Sequence, residues 1–451
     1  MTYLTTNEPM ASLATMFGAV AVGMLLHRSY STSEDLGNEG FDEDHQECED
    51  FVRSIPKVEL HVHLDGAFDP EKLWKHMQEN PDIMARFPVE KKLPWTDPSE
   101  APLPLREMVE ACRTELDYRH LCTCRRRYQA LRNTSAKTGG ISPPGTLEDM
   151  LTCFEFFFPL VYNNFGLLES LAYDLVVRQY EQNIVYTEMR YSPHLLAKDP
   201  QEAFNAVTRG LRRGCRDYDV TVNQILCAIN FAPDWSNEVV DMAAANKESY
   251  PCAVVAVDIA AGEDHFSRDS PFWKGHYDMC QKAKKIGLNI TVHAGETPDS
   301  QENVRKAIEE YGATRIGHAY KTIHHPELIK MLKEKNIHVE VCPTSSVETG
   351  GWKKTHWTEH PACVFRNHGL SISLNSDDPA VLNTSLTWQF RVAMKKMQWD
   401  KSDVTSVIQD SIDAAFLSRG EKERLRKRLR DSTSWKNSPE FTDRVHYEVG
   451  F

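Results

Sequence analysis

The sequence lacks the cysteine patterns that build a disulfide framework or a structural zinc site. Its 11 cysteines include no Cys-x-x-Cys, and the only close pair is Cys122-Thr-Cys124. An odd number of cysteines in a long chain, several of them within apolar runs, favours free thiols in a reducing compartment. We therefore expect a cytoplasmic protein.

Basic residues are also in short supply. Asp and Glu outnumber Lys and Arg by 65 to 52, which gives a net charge of −13. Proteins that bind DNA or RNA need basic surface to neutralise phosphates, so the composition argues against a nucleic-acid partner. No motif points to a protein partner either.

The N-terminal region lacks a clear targeting signal. The uncharged run Ala11–Leu26 has 16 residues, fewer than the ~20 of a spanning helix, and no basic segment precedes it. A disordered leader, a weak membrane anchor and a cleaved targeting segment all remain open. Since residues 27–50 are polar and acidic, we predict a disordered leader and linker over residues 1–50.

From Val58 onward, β-like apolar runs alternate with helical stretches. Near-continuous apolar strands separated by helices are typical of a parallel sheet, and eight of them indicate a (β/α)8 barrel over residues 51–436, followed by a tail at 437–451. The runs are Val58–Leu64, Ile184–Tyr191, Val222–Ala228, Ala253–Ile259, Asn289–His293, Arg315–His318, His338–Cys342 and Ser371–Asn375.

The segment at about 110–145 does not fit this alternation. It is first basic, at Arg125–Arg127, and then rich in Gly and Pro. A mobile surface insertion, a functional basic patch and a translated intron remain open. We expect a surface insertion whose removal leaves activity intact.

Polar residues capable of binding a metal follow four of the predicted strands. His61-Val-His63 ends the first strand, and residues i and i+2 of a strand share one face. His293 ends the fifth strand, His318 ends the sixth, and Asp377 follows the eighth. Isolated histidines are usually structural, but all of these lie at the carboxyl ends of strands, the catalytic face of such barrels. Imidazoles and one carboxylate suit Zn²⁺ with an open position for water.

The motifs together resemble the adenosine deaminase family of the metal-dependent amidohydrolase superfamily. The other class of zinc deaminases carries His-x-Glu and Pro-Cys-x-x-Cys, which are absent here. The resemblance covers about Lys57 to Leu429 and rests on Lys57-Val-Glu-Leu-His-Val-His-Leu-Asp-Gly66, Thr291-Val-His-Ala-Gly-Glu296, Gly317-His318, Glu340-Val-Cys-Pro343, Thr349-Gly-Gly-Trp352 and Ser373-Leu-Asn-Ser-Asp-Asp-Pro379.

The resemblance implies hydrolytic deamination of adenosine and 2′-deoxyadenosine to inosine and 2′-deoxyinosine, with one zinc ion per chain. Zinc would be bound by His61, His63, His293 and Asp377, and the hydroxide that it generates would attack C6 of the purine. Glu296 would protonate N1, while His318 would orient the attacking water.

The remaining implied roles concern substrate binding. Asp65 would face the ribose 5′-hydroxyl, Asp378 would accept a hydrogen bond involving N7, and Gly262 would contact N3 through its backbone. Asp258-Ile-Ala-Ala-Gly262 departs from the family's usual Asp-x-Ala-Gly, which leaves Ala261 as the alternative N3 contact. A lid helix would present Leu147, Met150 and Leu151 on one face, since they have helical spacing.

Two other functions compete with this one. A relative acting on adenine or on a 5′-nucleotide is disfavoured because the carboxylate of Asp65 would repel a phosphate. A catalytically dead binding protein or secreted growth factor is disfavoured because Glu296 and every expected ligand are present.

Overall fold

The computed structural model describes residues 43–89, 104–124, 146–248, 251–353 and 355–433. Eight parallel strands form a single sheet in which each strand pairs with the next along the chain, so the predicted (β/α)8 barrel is confirmed. The strands are β1 (Lys57–His63), β2 (Ile184–Tyr191), β3 (Thr221–Ile229), β4 (Val254–Ala260), β5 (Asn289–Ala294), β6 (Arg315–His318), β7 (His338–Val341) and β8 (Ile372–Leu374).

The barrel closes between β8 and β1 just where the sequence predicts the site. A parallel bridge joins Val62 to Asp377. The backbone N–H of His63 donates to the carbonyl of Asp377 at 2.8 Å, and the N–H of Asp377 donates to the carbonyl of His61 at 3.1 Å. Closure therefore fixes the segment after β8 against the end of β1.

Helices surround the barrel, and the short helix Leu147–Leu151 lies at its carboxyl end. They are α1 (Glu43–Ser54), α2 (Pro70–Glu79), α3 (Leu105–Glu110), α4 (Glu115–Cys122), α5 (Leu147–Leu151), α6 (Phe158–Val161), α7 (Phe165–Glu181), α8 (Pro193–Leu196), α9 (Pro200–Asp217), α10 (Ser236–Asn246), α11 (Trp273–Lys285), α12 (Gln301–Lys306), α13 (Pro326–Glu334), α14 (Pro343–Glu348), α15 (Pro361–Asn367), α16 (Leu386–Lys395), α17 (Lys401–Ala414) and α18 (Arg419–Thr433). In the described ranges, no helix is both long and apolar enough to cross a membrane.

Local sequence explains how helix α9 begins and packs. The carboxylate of Asp199 caps it by accepting the backbone N–H of Gln201, and Pro200 occupies the first turn, where no N–H donor is needed. At Gly210 a Cβ atom would lie only 2.1 Å from the carbonyl oxygen of Glu169 in α7. Glycine therefore allows the two helices to pack closely.

The predicted boundary at residue 50 is wrong, because helix α1 begins at Glu43, within the expected linker. Val52 is fully buried, and Glu49 forms ion pairs with Arg391 and Lys395 of α16. Acidic residues that looked like linker therefore complement a basic helix face. Residues 1–42, including the run at 11–26, lie outside the described residues.

The prediction of a surface insertion at about 110–145 is wrong for its first part. Helix α4 is capped by Thr114, and Tyr118 in it is fully buried. The Tyr118 hydroxyl donates to the carbonyl of Phe156 at 2.8 Å, and the N–H of Cys124 donates to the carbonyl of Val381 at 2.8 Å. Residues 125–145 and the predicted tail at 437–451 lie outside the described residues.

Candidate active site

The predicted site residues meet at the carboxyl end of the barrel. A cavity lies there, with about 900 Å³ of space that includes open solvent at its mouth. The predicted residues that line it are His63, Asp65, Leu147, Met150, Leu151, Gly262, His293, Glu296, His318, Asp377 and Asp378. His61 lies directly beneath, fully buried.

Donor atoms from β1, β5, β6 and the segment after β8 converge on one point. One donor atom from each of His61, His293, His318 and Asp377 lies within 4.8 Å of the others. His63 faces the same point, since its Nε2 is 3.2 Å from Nε2 of His293 and 3.5 Å from Oδ1 of Asp377. Five donors are therefore available to one cation.

The spacing fits a tetrahedral metal site. Two ligand atoms about 2.1 Å from a metal, at the tetrahedral angle, are about 3.4 Å apart. Nε2 of His63 lies 3.2 Å from His293 and 3.5 Å from Asp377, and Nε2 of His61 lies 3.1 Å from Oδ1 of Asp377. These distances lie on both sides of the ideal value. Nε2 of His61 is buried and has no hydrogen-bond partner in the structure, which leaves its lone pair for a cation.

Carboxylates behind the histidines fix the direction of two rings. Nδ1 of His61 is 2.7 Å from Oε2 of Glu340, and Nδ1 of His293 is 3.0 Å from Oδ2 of Asp258. A carboxylate accepts the proton on Nδ1, so Nε2 is left unprotonated toward the shared point. Metal-binding histidines are typically oriented in this way.

A buried ion network supports these carboxylates from inside the barrel. Arg190 lies 2.8 Å from Asp258 and 2.6 Å from Glu340, while Arg315 lies 2.7 Å from Glu340 and 2.5 Å from Glu188. Burial opposes ionisation of Glu340, but the two guanidinium groups outweigh it and hold its pKa well below the ordinary value. The network keeps an acceptor charged in a dry interior.

The ionisation states suit cation binding. Burial lowers the pKa of His63 and of His318 well below the ordinary value, so both rings are neutral near pH 7. Burial opposes ionisation of Asp377, but the contact with His61, whose Nε2 lies 3.1 Å from Oδ1, outweighs it and holds the pKa of that carboxyl well below its usual range. The point of convergence therefore offers lone pairs and one negative charge.

Glu296 follows the turn after β5 and is placed to act as an acid. Its side chain is 5% exposed; Oε1 accepts from the Thr349 hydroxyl at 2.9 Å, and Oε2 lies 3.7 Å from Nε2 of His318. Burial, with Asp377 nearby, raises the pKa of Glu296 to about 8. The carboxyl is thus mainly protonated at neutral pH, as a general acid requires.

The tautomer of His318 follows from its neighbour Tyr320. The tyrosine oxygen lies 3.0 Å from Nδ1 of His318, 3.1 Å from the carbonyl of Cys342 and 3.0 Å from the N–H of Cys342. The single hydroxyl proton goes to the carbonyl, which can only accept, so Nδ1 of His318 must donate to the tyrosine oxygen. Nε2 of His318 is then an acceptor that faces the cavity.

Two further carboxyls face the cavity with free oxygens. Oδ1 of Asp65 and Oδ1 of Asp378 are buried without a partner. Burial raises the pKa of Asp65 to about 7; burial, with Asp377 and Asp65 nearby, raises that of Asp378 well above its usual range. Gly66 makes room for the second carboxyl, because a Cβ atom there would lie 1.8 Å from Oδ1 of Asp378.

The turn after β4 combines both candidates for the N3 contact. Ala261 has a left-handed backbone with φ of 66°, and Gly262 has φ of 120°. The two residues line the cavity together. A non-glycine residue in this region is strained, a common feature of functional sites.

The predicted lid residues lie on the short helix α5. Thr146 and Asp149 form a reciprocal capping box at its start. Met150 is buried and the two leucines are half-buried. The helix therefore places an apolar wall over the mouth of the cavity.

Several residues that contact the site could not be identified from the sequence. Glu340 and Asp258 stand in motifs that carry the resemblance, but nothing in the sequence pairs them with His61 and His293. Tyr320 and Thr349 also lie close to motif residues, as the second residue after His318 and the first residue of Thr349-Gly-Gly-Trp352. Proximity to a motif is the only signal that marks them.

Sequence comparisons place the chain among known deaminases. The family model described as Adenosine deaminase matches residues 130–432. The chain is 32% identical to the adenosine deaminase of Xenopus tropicalis over 83% of this chain and 94% of that protein. It is 30% identical to the bovine adenosine deaminase over 82% of this chain and 92% of the relative.

Solved structures share the fold. The adenine deaminase of Arthrobacter aurescens superposes with a TM-score of 0.65 at 18% identity, covering 84% of this chain and all of that one. The N6-methyl-AMP deaminase of Arabidopsis thaliana gives 0.64 at 21% identity, with 86% and 99% covered. The sequence matches, which span nearly the whole barrel, carry the stronger statement: this chain belongs to the adenosine deaminase family.

Proposed function

We propose that the protein catalyses the hydrolytic deamination of adenosine and 2′-deoxyadenosine to inosine and 2′-deoxyinosine, releasing ammonia. The observation that carries the proposal is the protonated, buried Glu296 placed beside a cluster of metal-binding donors at the mouth of the barrel. Family membership supports it, because the curated relatives at about 30% identity are adenosine deaminases.

One zinc ion per chain is proposed at the convergence point, with His61, His63, His293 and Asp377 as ligands. When bound there, zinc would lower the pKa of a coordinated water and so supply the nucleophile for C6. An amidohydrolase structure from Burkholderia ambifaria with the same fold, with a TM-score of 0.61 at 21% identity over 88% of this chain and 95% of that one, is described with bound Zn.

The chain's own residues then handle the protons. Glu296 donates its proton to N1 of the purine, which makes C6 electrophilic. His318, whose Nε2 is an acceptor, takes a hydrogen bond from the attacking water and orients it toward C6. The attacking water adds to C6 and gives up one proton to Nε2 of His318, which passes it to the N6 amine. Ammonia then leaves the tetrahedral carbon as the C6–N6 bond breaks, and the proton of the remaining C6 hydroxyl returns Glu296 to its acid form.

Asp378 is proposed to donate, rather than accept, the hydrogen bond to the base. Purine N7 carries a lone pair and no proton, so its partner must be a donor. The raised pKa of Asp378 supports the protonated form. This proposal departs from the expectation that Asp378 accepts a hydrogen bond at that position.

The character of the cavity supports a nucleoside over a nucleotide. The lining contains the carboxyl groups of Asp65, Glu155, Glu263, Glu296, Asp377 and Asp378, and none of the described lining residues is Lys or Arg. A phosphate dianion would meet several negative or neutral acids and no basic side chain. A ribose hydroxyl can donate to Asp65.

The cysteines, all free, support the expected cytoplasmic location.

An absorbance assay with purified protein tests the proposal. Adenosine and 2′-deoxyadenosine should be deaminated, and AMP and adenine should give kcat/KM values at least about a hundredfold lower, the cost of an unmatched polar group. Chelator should abolish activity, and metal analysis should find about one zinc per chain. Preference for AMP would overturn the substrate assignment, and full activity after complete metal removal would overturn the zinc assignment.

A further inference from the structure

The backbone of the turn that carries Glu296 is held by one carboxylate, that of Glu263. Glu263 follows the cavity-lining Gly262 and is 8% exposed. It accepts three consecutive backbone N–H groups, from Gly295 at 2.8 Å and from Glu296 and Thr297 at 2.9 Å each. One side chain therefore fixes three successive backbone groups.

Two side chains complete the set of donors. The Thr297 hydroxyl lies 3.0 Å from Oε1 of Glu263, and the amide nitrogen of Asn303 lies 3.0 Å from Oε2. Amide nitrogens can only donate, and the hydroxyl can donate as well, so none of these contacts needs a proton from the carboxyl. The arrangement is therefore satisfied by the ionised form, and charge-assisted hydrogen bonds of this kind are the stronger ones.

The turn needs this support because its backbone is unusual. Gly295 adopts φ of 77°, and a Cβ atom there would lie 2.8 Å from Val304 and 3.0 Å from Ala319. The N–H groups of Gly295, Glu296 and Thr297 all point toward Glu263, so they are directed away from the hydrogen bonds of a strand or helix. A single ionised carboxylate satisfies all three.

Glu296 is thus held at two places. Glu263 holds its backbone N–H, and Thr349 contacts its side-chain oxygen at 2.9 Å. Because Glu263 directly follows Ala261 and Gly262, the same residue joins the turn that would face purine N3 to the turn that carries the acid for N1. A shift of either turn would move the acid relative to the base.

We propose that Glu263 is a positioning residue for the reaction, which aligns the general acid Glu296 with the bound purine. This rests on the proposed function. Small misplacements of a reacting group can cost about a hundredfold in rate. A change at Glu263 should impair protonation of purine N1 by Glu296, and therefore kcat, more than it impairs substrate affinity. Affinity also depends on Asp65, Asp378 and the apolar wall.

The test is a double-mutant cycle with Glu263→Gln and Glu296→Gln. The glutamine amide turns one acceptor oxygen into an NH₂ donor that faces N–H groups, so Glu263→Gln should lower kcat for adenosine at least tenfold and change KM less than threefold. In the Glu296→Gln background the same change should alter kcat/KM less than twofold, since the acid is already gone. Glu302→Gln, the same change at an exposed carboxylate of α12 that pairs with Arg305, should stay within threefold of wild type.

Equal losses in both backgrounds, or a kcat for Glu263→Gln within threefold of wild type, would overturn the proposal. If Glu263→Gln does not fold, Glu263→Asp carries the same cycle, since it keeps the charge but shortens the reach. Amide hydrogen exchange at residues 295–297 is read separately and should accelerate at least tenfold in the variant. Faster exchange in a protein inactive on adenosine would mean that the contact is real and the proposed function is wrong.

Discussion

Glu296→Gln should separate the chemistry of the site from its stability. The substitution preserves the shape of the side chain, and the amide oxygen can still accept from Thr349, which lies 2.9 Å from Oε1. It removes the proton that N1 requires. General acids typically contribute about 10²–10⁴-fold, or roughly 3–5 kcal/mol of transition-state stabilisation, so kcat/KM for adenosine should fall by that factor.

The same substitution should stabilise the metal-free fold. The pKa of Glu296 is raised by burial from 4.5 to about 8, so at pH 7 the folded state holds a proton that the unfolded state has released. The gap of about 2.5 units between 4.5 and pH 7, at about 1.4 kcal/mol per unit, costs wild type about 3 kcal/mol. Glutamine, which does not titrate in this range, avoids that cost.

The direction of the pKa shift of Glu296 determines how the stability of the fold changes with pH. A raised folded pKa contributes stability that is complete below about pH 4.5 and is lost as the pH rises toward 8. Urea unfolding of the metal-free proteins should therefore show equal stabilities near pH 4.5 and an advantage for Glu296→Gln that grows up to pH 8. Exposed Glu327→Gln is the matched control and should change neither property.

Activity within threefold of wild type would refute the assignment of Glu296 as the acid. A variant less stable than wild type at pH 7 would instead refute the burial argument, because it would mean that the carboxyl contributes favourable contacts as an ion. The activity and stability measurements therefore test the two arguments independently.

Three further predictions concern the metal, the histidine tautomer and the N-terminus. Asp377→Ala should reduce bound zinc to below about a tenth of an equivalent by metal analysis; retention of a full equivalent would exclude Asp377 as a ligand. Tyr320→Phe removes the oxygen that accepts from His318 and should lower kcat/KM about ten- to a hundredfold, with a change in the ¹⁵N tautomer pattern of His318; an unchanged pattern would contradict the donor count. Deleting residues 1–42 should leave activity and melting temperature unchanged, whereas deleting residues 1–54 removes α1 and should lower the melting temperature by several degrees; equal behaviour would show that α1 contributes nothing.

The strands were predictable because each is an apolar run that ends in a polar or glycine-containing segment. Buried strands in a barrel are rich in apolar residues, and six of the seven residues of β4 are apolar. The position of the site followed from the same fact, since polar residues at the ends of apolar runs need a function. The amino-acid sequence alone therefore places His61, His293 and Asp377 together.

Contacts between distant segments were not predictable. Helix α1 is acidic and looks like a linker until Arg391 and Lys395 are placed beside Glu49, and that pairing depends on the closed barrel. The burial of Tyr118 in α4 likewise depends on the segment that ends at Phe156. A short charged or irregular stretch carries no sign of its partner surface, so its sequence reads as exposed.

Three of the strand ends that form the site contain a non-glycine residue with left-handed backbone. Asp377 has φ of 64°, His318 of 75° and Ala261 of 66°, each at a cost of about 1–3 kcal/mol. For Asp377 the strain is held by backbone hydrogen bonds to His61 and His63 on β1. A left-handed residue turns the chain sharply after a strand, so that a side chain at its end can face the barrel axis while the backbone leaves for the next helix. The same bonds that close the barrel therefore also place Asp377 between the two histidines, which ties the integrity of the fold to that of the metal site.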